Sequence, residues 1–481
     1  MSHSVNLAPA TPFSTPEQWS SYIDEFRTAA HDAVDWIAQY LAKTREYDVV
    51  SRNTPGQLVD ALPKSGPERA ESFAAIMNDF RSQVIPAVTH WNHPGFMAYF
   101  ATTGSTPAIV GEMLAAALNT NGLHWKTSPA VAELEQVALG WFREWMGLSP
   151  DWFGMVFDTA STGSMHALAA AREFVAPEAR ENGTPAGLVM YTSEQSHSSI
   201  EKGAIAIGIG QKNVRKVPVD ADFRMRPDAL AEMTHRDVAS GLRPFCVVAT
   251  VGTTSTTSID PVAKIADTAE QHGMWLHVDA AYAGSAAIMP EYQWIFDGVS
   301  RAHSLVVNPH KWLMTPIDLS TFYTRRPDIL RRAFSLTPEY LKNQDDPRAV
   351  NLMDYGVPLG HRFRALKFWF VLRYFGRQRL AASLKANIKW AQELAEHVRR
   401  DKRFEVSAPT PFSTLCFRYK GSDQENLDIL DKVNNSGKYY ISQTKLHGKT
   451  VLRIAIGNLA TTWQDVLSCW EMIQSFAPAG K

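Results

Sequence analysis

The chain has 481 residues, 45% hydrophobic and 20% charged, with 48 Lys plus Arg against 49 Asp plus Glu and a formal net charge of −1. That balance excludes the basic footprint of a nucleic-acid binder or of a partner for anionic membranes. No run approaches the ~18 uninterrupted apolar residues of a membrane helix, and no N-terminal stretch pairs a basic segment with an apolar one. Cys246, Cys416 and Cys469 are too far apart to make a metal-ligand spacing, so the expectation is a reduced, soluble, cytoplasmic protein with no metal site.

In chain order, Phe26, Ala30, Val34, Ile37 and Leu41 recur at helical spacing and predict an amphipathic helix ending near Lys43, within an N-terminal helical segment of residues 1–90. From 91 to 375, short apolar runs alternate with helical patterns. The runs are Phe153–Phe157, Gly187–Thr192, Phe245–Val251, Met274–Val278, Ser304–Asn308 and Leu319–Tyr323. Between several of them lie Gly163–Val175, Pro227–Ser240 and Pro261–His272, which read as helices. Strand–helix alternation predicts a mostly parallel sheet in an α/β domain, with functional groups at the strands' carboxyl ends. From about Gly376 a long helical stretch is followed by separated strands near Thr414–Tyr419 and Val451–Ile456, predicting a small α+β domain over 376–481.

Two of those strand ends carry complementary chemistry. Lys311, in Asn308-Pro309-His310-Lys311-Trp312, follows an apolar strand, and Asp279 ends the run Trp275-Leu276-His277-Val278-Asp279. A lysine there can condense with an aldehyde, and a buried carboxylate needs a cation. Pyridoxal phosphate supplies both: an aldehyde for the lysine and a pyridinium nitrogen for the aspartate. Ala281 lies two residues beyond Asp279, on the same side and small enough to pack beneath a ring. The turn Asp158-Thr159-Ala160-Ser161-Thr162-Gly163-Ser164 joins a strand to a helix and offers free N–H groups to a phosphate. Neither Gly203-x4-Gly208-x-Gly210 nor Ser199-Ile200-Glu201-Lys202 has the context its motif requires, and His272 and His277 share no metal-binding face.

The segments His277-Val278-Asp279-Ala280-Ala281-Tyr282-Ala283-Gly284 and Asn308-Pro309-His310-Lys311-Trp312 resemble the two signatures of the group II pyridoxal-phosphate decarboxylases, and most nearly those of the aromatic-L-amino-acid decarboxylases. The resemblance runs from about Phe26 to the strand Val451–Ala455. It implies a fold-type I, aspartate-aminotransferase-like α/β enzyme, homodimeric, with the N-terminal segment embracing a second subunit and the active sites at the interface. It places Thr159, Ala160, Ser161, Asn308 and His310 at the phosphate, His197 on the upper face of the pyridine ring, and Thr250 beside the cofactor. Tyr340 takes the position of a tyrosine that returns a proton to Cα, where a phenylalanine accompanies oxygen-dependent aldehyde formation. Trp91, Tyr99, Phe100 and Thr102 match the substrate-pocket segment. Asn121 and Leu123 stand where animal relatives carry larger apolar residues, and Ile317 replaces an aromatic one. Gly360 matches a position where, in plant relatives, glycine accompanies indole substrates. The expected activity is decarboxylation of an aromatic amino acid, tryptophan favoured, with phenylalanine, tyrosine and 3,4-dihydroxyphenylalanine also possible substrates. The alternative is an aromatic acetaldehyde synthase on the same scaffold.

Overall fold

The computed structural model of the protein describes residues 15–102, 104–336 and 348–479. Residues up to His93 and residues from Pro94 onward form two compact units.

In the first unit the helix Pro16–Lys43 opens on a capping box, Thr15 with Gln18, and ends at Lys43 where the apolar periodicity stops. Trp36 meets Phe80 edge-on at 4.8 Å, and Tyr40 Oη bonds His90 Nδ1 at 2.9 Å. None of the helix's residues is buried, and Trp19, Tyr22 and Phe26 form an exposed stripe at spacings of three and four.

The second unit is built on a seven-stranded sheet: β1 Phe153–Phe157, β2 Leu188–Ser193, β3 Val214–Val217, β4 Arg243–Thr250, β5 Trp275–Asp279, β6 Ser304–Val307 and β7 Ser320–Thr324. Their order is β1-β7-β6-β5-β4-β2-β3. The pairs from β3 to β6 are parallel, and β7 runs antiparallel to both neighbours. The inner strands are buried on both faces, so they read as unbroken apolar runs rather than as an alternation. Separate apolar clusters cover the two faces. The sequence reading missed β3, an edge strand whose central Arg215 and Lys216 are half-exposed.

The long helix begins at Arg364 rather than near Gly376, and runs to Arg400. Gly376 instead breaks it, at φ 63° and ψ 166°, a conformation open to glycine. Beyond it lies an antiparallel four-stranded sheet of order β10-β11-β9-β8, with β8 Phe404–Val406, β9 Thr414–Tyr419, β10 Ser442–Leu446 and β11 Lys449–Ala455. No helix among the described residues is long and apolar enough to cross a membrane.

Candidate active site

The parallel register aligns the carboxyl ends of β4, β5 and β6: Thr250 is the cross-strand partner of Asp279, and Asp279 of Val306. Beyond β6 the chain makes one helical turn, Pro309–Trp312, which carries Lys311 back over the sheet. The result is a cavity of about 180 Å³. Its walls include Lys311, Asp279, Ala281, Thr250 and His197, and also Thr159, Ala160, Ser161, Asn308 and His310. With Phe100, these residues bring six separate stretches of sequence to one cavity.

Burial lowers the pKa of the Lys311 amine, Asp279 opposes that shift, and Arg453 adds to it. The amine is therefore biased toward its uncharged, nucleophilic form. It lies 5.1 Å from the ring centre of Phe100. Asp279 Oδ1 accepts from Ala281 N at 3.1 Å, which fixes the carboxylate at the cavity edge.

Both site histidines have determined tautomers. His197 caps the helix Ser198–Ala206, and its Nδ1 accepts from Ser199 N at 3.2 Å. The proton of the neutral ring then sits on Nε2. Desolvation, then the Lys311 charge, lowers its pKa and favours that neutral form. His310 Nδ1 accepts from Leu319 N at 3.0 Å, so its Nε2 also carries the donor. Burial pushes His310 down to about 4.

At the phosphate-like end, Thr159 caps the helix Ala160–Val175, its Oγ1 accepting from Thr162 N at 3.4 Å. First-turn N–H groups have no acceptor within the helix, and the positive dipole end sits with them. Buried Asn308 has its amide oxygen without a partner among the described residues. A capped helix N-terminus and a neutral histidine donor make a donor set suited to a phosphate, with the Asn308 amide beside them. The lysine and the carboxylate suit an aldehyde and a ring nitrogen.

Four supporting features escaped the sequence reading. Phe100 stacks on Tyr282 at 3.9 Å and 16°, and Tyr282 on Trp312 at 4.7 Å and 13°, so the two signature segments are joined by a pile of rings. Arg453, from β11, lies 4.7 Å from Phe100. It donates from Nε to Ser255 O at 3.0 Å and from Nη1 to Tyr99 O. The Phe100 wall is thus braced from the small sheet. His277 bonds Ser304 Oγ at 2.8 Å and Ser164 Oγ at 3.1 Å, pinning β5 to the helix Ala160–Val175. Only the burial of a polar residue inside an apolar strand hinted at that role.

The fourth feature is Asp260. Its fully buried carboxylate accepts from Thr250 N at 2.8 Å and Met225 N at 2.7 Å, holding the cavity wall. Desolvation raises its pKa from 3.8 to about 7. The folded state therefore binds this proton more tightly than the unfolded chain. The associated stability is present below pH 3.8 and is lost as pH rises through about 7. Asp260→Asn should flatten that part of a thermal-unfolding pH series. It should also cost about 1–3 kcal/mol, because an amide N–H would face a backbone N–H.

Among the predicted substrate residues, only Phe100 lines the Lys311 cavity. Tyr99 is exposed at φ 51°, its Oη 3.4 Å from Tyr440 Oη, and Thr102 follows on the same segment. Trp91 belongs to the N-terminal unit. Asn121, Leu123, Ile317 and Gly360 lie outside the cavity walls, and Asn121 and Gly360 sit side by side. Tyr340 lies outside the described residues.

Residues 55–420 match the pyridoxal-dependent decarboxylase conserved domain. The chain belongs to this family. A tryptophan decarboxylase of Camptotheca acuminata is 40% identical over 95% of this chain and 95% of its own length. A phenylacetaldehyde synthase of Arabidopsis thaliana is 39% identical over 94% and 96%. The crystal structure of Oryza sativa TDC with PLP and tryptamine superposes with a TM-score of 0.92 at 36% identity, covering 94% of this chain and 97% of that one. The decarboxylase is a fold-type I enzyme whose cofactor is pyridoxal phosphate, and the donor set of the Lys311 cavity fits that group.

Proposed function

We propose that the protein decarboxylates aromatic L-amino acids to arylalkylamines and CO₂ as a cytoplasmic homodimer. One observation carries the reading: Lys311, Asp279, His197, Thr250 and the Thr159–Ser161 turn converge on a single cavity. The cofactor, when bound, supplies an electron sink for the pair left at Cα as CO₂ departs. Lys311 would hold the cofactor through its aldehyde, its uncharged amine being the group able to attach there. Asp279 keeps the ring nitrogen protonated. The first-turn N–H groups of the Thr159–Ser161 turn and His310 Nε2 would hold the phosphate, with Asn308 beside them. His197 and Ala281 would pack against the ring faces and Thr250 alongside. Tyr340 would be the proton donor to Cα, and protonation there would leave nothing for O₂ to oxidise. Phe100, on the cavity wall, would meet the aromatic ring; Tyr99, Thr102, Ile317 and Gly360 are assigned to substrate by the family resemblance alone, with Asn121 and Leu123 reaching it from the second subunit.

The test is to incubate cofactor-loaded protein with tryptophan, phenylalanine, tyrosine and 3,4-dihydroxyphenylalanine, and to quantify amine, aldehyde and hydrogen peroxide. Amine without peroxide is expected. Aldehyde with peroxide and ammonia would replace this reading by the synthase one, which the 39% identical phenylacetaldehyde synthase keeps in view. Tyr340→Phe should move product from amine toward aldehyde.

Two exposed apolar stripes support the homodimer. Trp19, Tyr22 and Phe26 form one, and Val110, Met113, Leu114 and Leu118 on the helix Thr106–Leu118 form the other. Stripes of this kind mark association surfaces. The double substitution Met113→Lys, Leu114→Lys changes only exposed positions. It should shift sedimentation from dimer to monomer and reduce activity at least about tenfold, since two buried charges cost more than one factor of ten.

A further inference from the structure

We infer that the Arg364–Asp318 ion pair is a positioning device for the cofactor's phosphate, because it holds in place the peptide N–H that fixes His310 as a donor. The inference rests on the proposed role of His310 at the phosphate and names the residues that set it.

Between the Lys311 turn and β7, residues 313–319 form neither helix nor strand. This stretch is tied at two points to the start of a helix. Met314 O accepts from Ser105 N at 3.3 Å and from Ser105 Oγ at 2.7 Å, and Ser105 is the N-cap of the helix Thr106–Leu118. Asp318 is held by Arg364, the first residue of the helix Arg364–Arg400. Arg364 Nε donates to Asp318 Oδ1 and Nη2 to Oδ2, both at 3.1 Å. Two parallel bonds from a planar fork fix orientation as well as position. Burial would raise the pKa of the Asp318 carboxyl, but the Arg364 hydrogen bonds and charge outweigh it and hold that pKa below its ordinary value. The pair is therefore ionised at neutral pH.

The peptide that follows carries the consequence. Its N–H, on Leu319, donates to His310 Nδ1 at 3.0 Å. The Leu319 side chain is fully buried, so core packing anchors one end of this peptide and the Asp318 carboxylate the other. Ile317 is exposed in the protomer and adds no packing there. Lys367, one turn along the same helix, is taken up by Glu112 at 2.9 Å, which leaves Arg364 to hold Asp318.

A donor at Nδ1 obliges the neutral imidazole to carry its proton on Nε2. Without that N–H, either ring nitrogen could hold the proton, and a bare Nε2 would repel an anion instead of binding it. His310 is 4% exposed and lines the Lys311 cavity, so its tautomer decides whether the cavity wall offers a donor or a lone pair. Arg364 and Asp318 are absent from that wall. They act through Leu319 and His310, as positioning residues.

The experiment titrates the full-length apoprotein with pyridoxal phosphate and with pyridoxal, which lacks the phosphate. The ratio of the two dissociation constants isolates what the phosphate contributes. His310→Phe keeps a ring but removes both nitrogens, and should lower the preference for pyridoxal phosphate about tenfold or more, the worth of one hydrogen bond to a charged group. Arg364→Lys keeps the charge without the fork and should lower the preference by a comparable factor. Asp318→Ala should lower it too, although loss of a negative charge would by itself favour a phosphate. In the His310→Phe background Arg364→Lys should lower it no further, since both act through one bond. Affinity for pyridoxal should stay at the wild-type value throughout. A preference unmoved by Arg364→Lys, a preference raised by Asp318→Ala, or equal weakening of both ligands would overturn the assignment while His310→Phe upheld the phosphate site. A preference unmoved by His310→Phe would sink the phosphate role of His310 and this inference with it.

Discussion

Lys311→Ala should reduce kcat about 10³–10⁴-fold, the combined loss of a covalent anchor and a proton carrier. Its cofactor should also lose the visible absorbance that attachment to a lysine confers. The structure gives this prediction a control. Burial is the main cause lowering the Lys311 pKa, Arg453 adds to it and Asp279 opposes it, so the amine's reactivity depends on its place in the cavity. Lys311→Arg keeps a cation beside Asp279 but remains protonated and cannot condense with an aldehyde. It should be as inactive as the alanine variant while retaining more cofactor. If the arginine variant kept a tenth of wild-type kcat, Lys311 would be an electrostatic group only, and the proposed role would be wrong.

What the sequence made legible follows from where each signal lies. Lys311 and Asp279 stand out because a charged residue at the end of an unbroken apolar run has no cheap structural explanation. Most of the main sheet was readable for the same reason: strands buried on both faces leave continuous apolar runs. Polar edges left weaker marks. β3 has Arg215 and Lys216 at its centre, and β10 is Ser-Gln-Thr-Lys-Leu, exposed at alternate positions. The supports of the site were legible least. Arg453 is one cation in an ordinary strand until the fold sets it against Phe100, which precedes it by most of the chain. Asp260 is one aspartate among many until both its oxygens meet backbone N–H groups. Local sequence reports the element; such long-range partnerships appear only when the chain has folded.

Asp279→Ala should produce two effects of opposite sign. The Asp279 charge raises the Lys311 pKa against the burial that lowers it. Without that carboxylate the amine's pKa falls further, so Lys311 should attach pyridoxal phosphate at a lower pH than in the wild type. Catalysis should move the other way. A ring nitrogen without its carboxylate is no longer held protonated, and removing one partner of a buried charge pair costs about 3–5 kcal/mol, roughly 10²–10⁴-fold in kcat. Asp279→Asn should lie close to the alanine variant, because it retains an acceptor for Ala281 N–H but supplies no charge. The measurement is the pH dependence of cofactor attachment alongside kcat for wild type and both variants. A purely structural aspartate would, when removed, slow attachment and turnover together. Attachment shifted to lower pH with turnover reduced at least a hundredfold is the pattern only a charge partner of the cofactor gives.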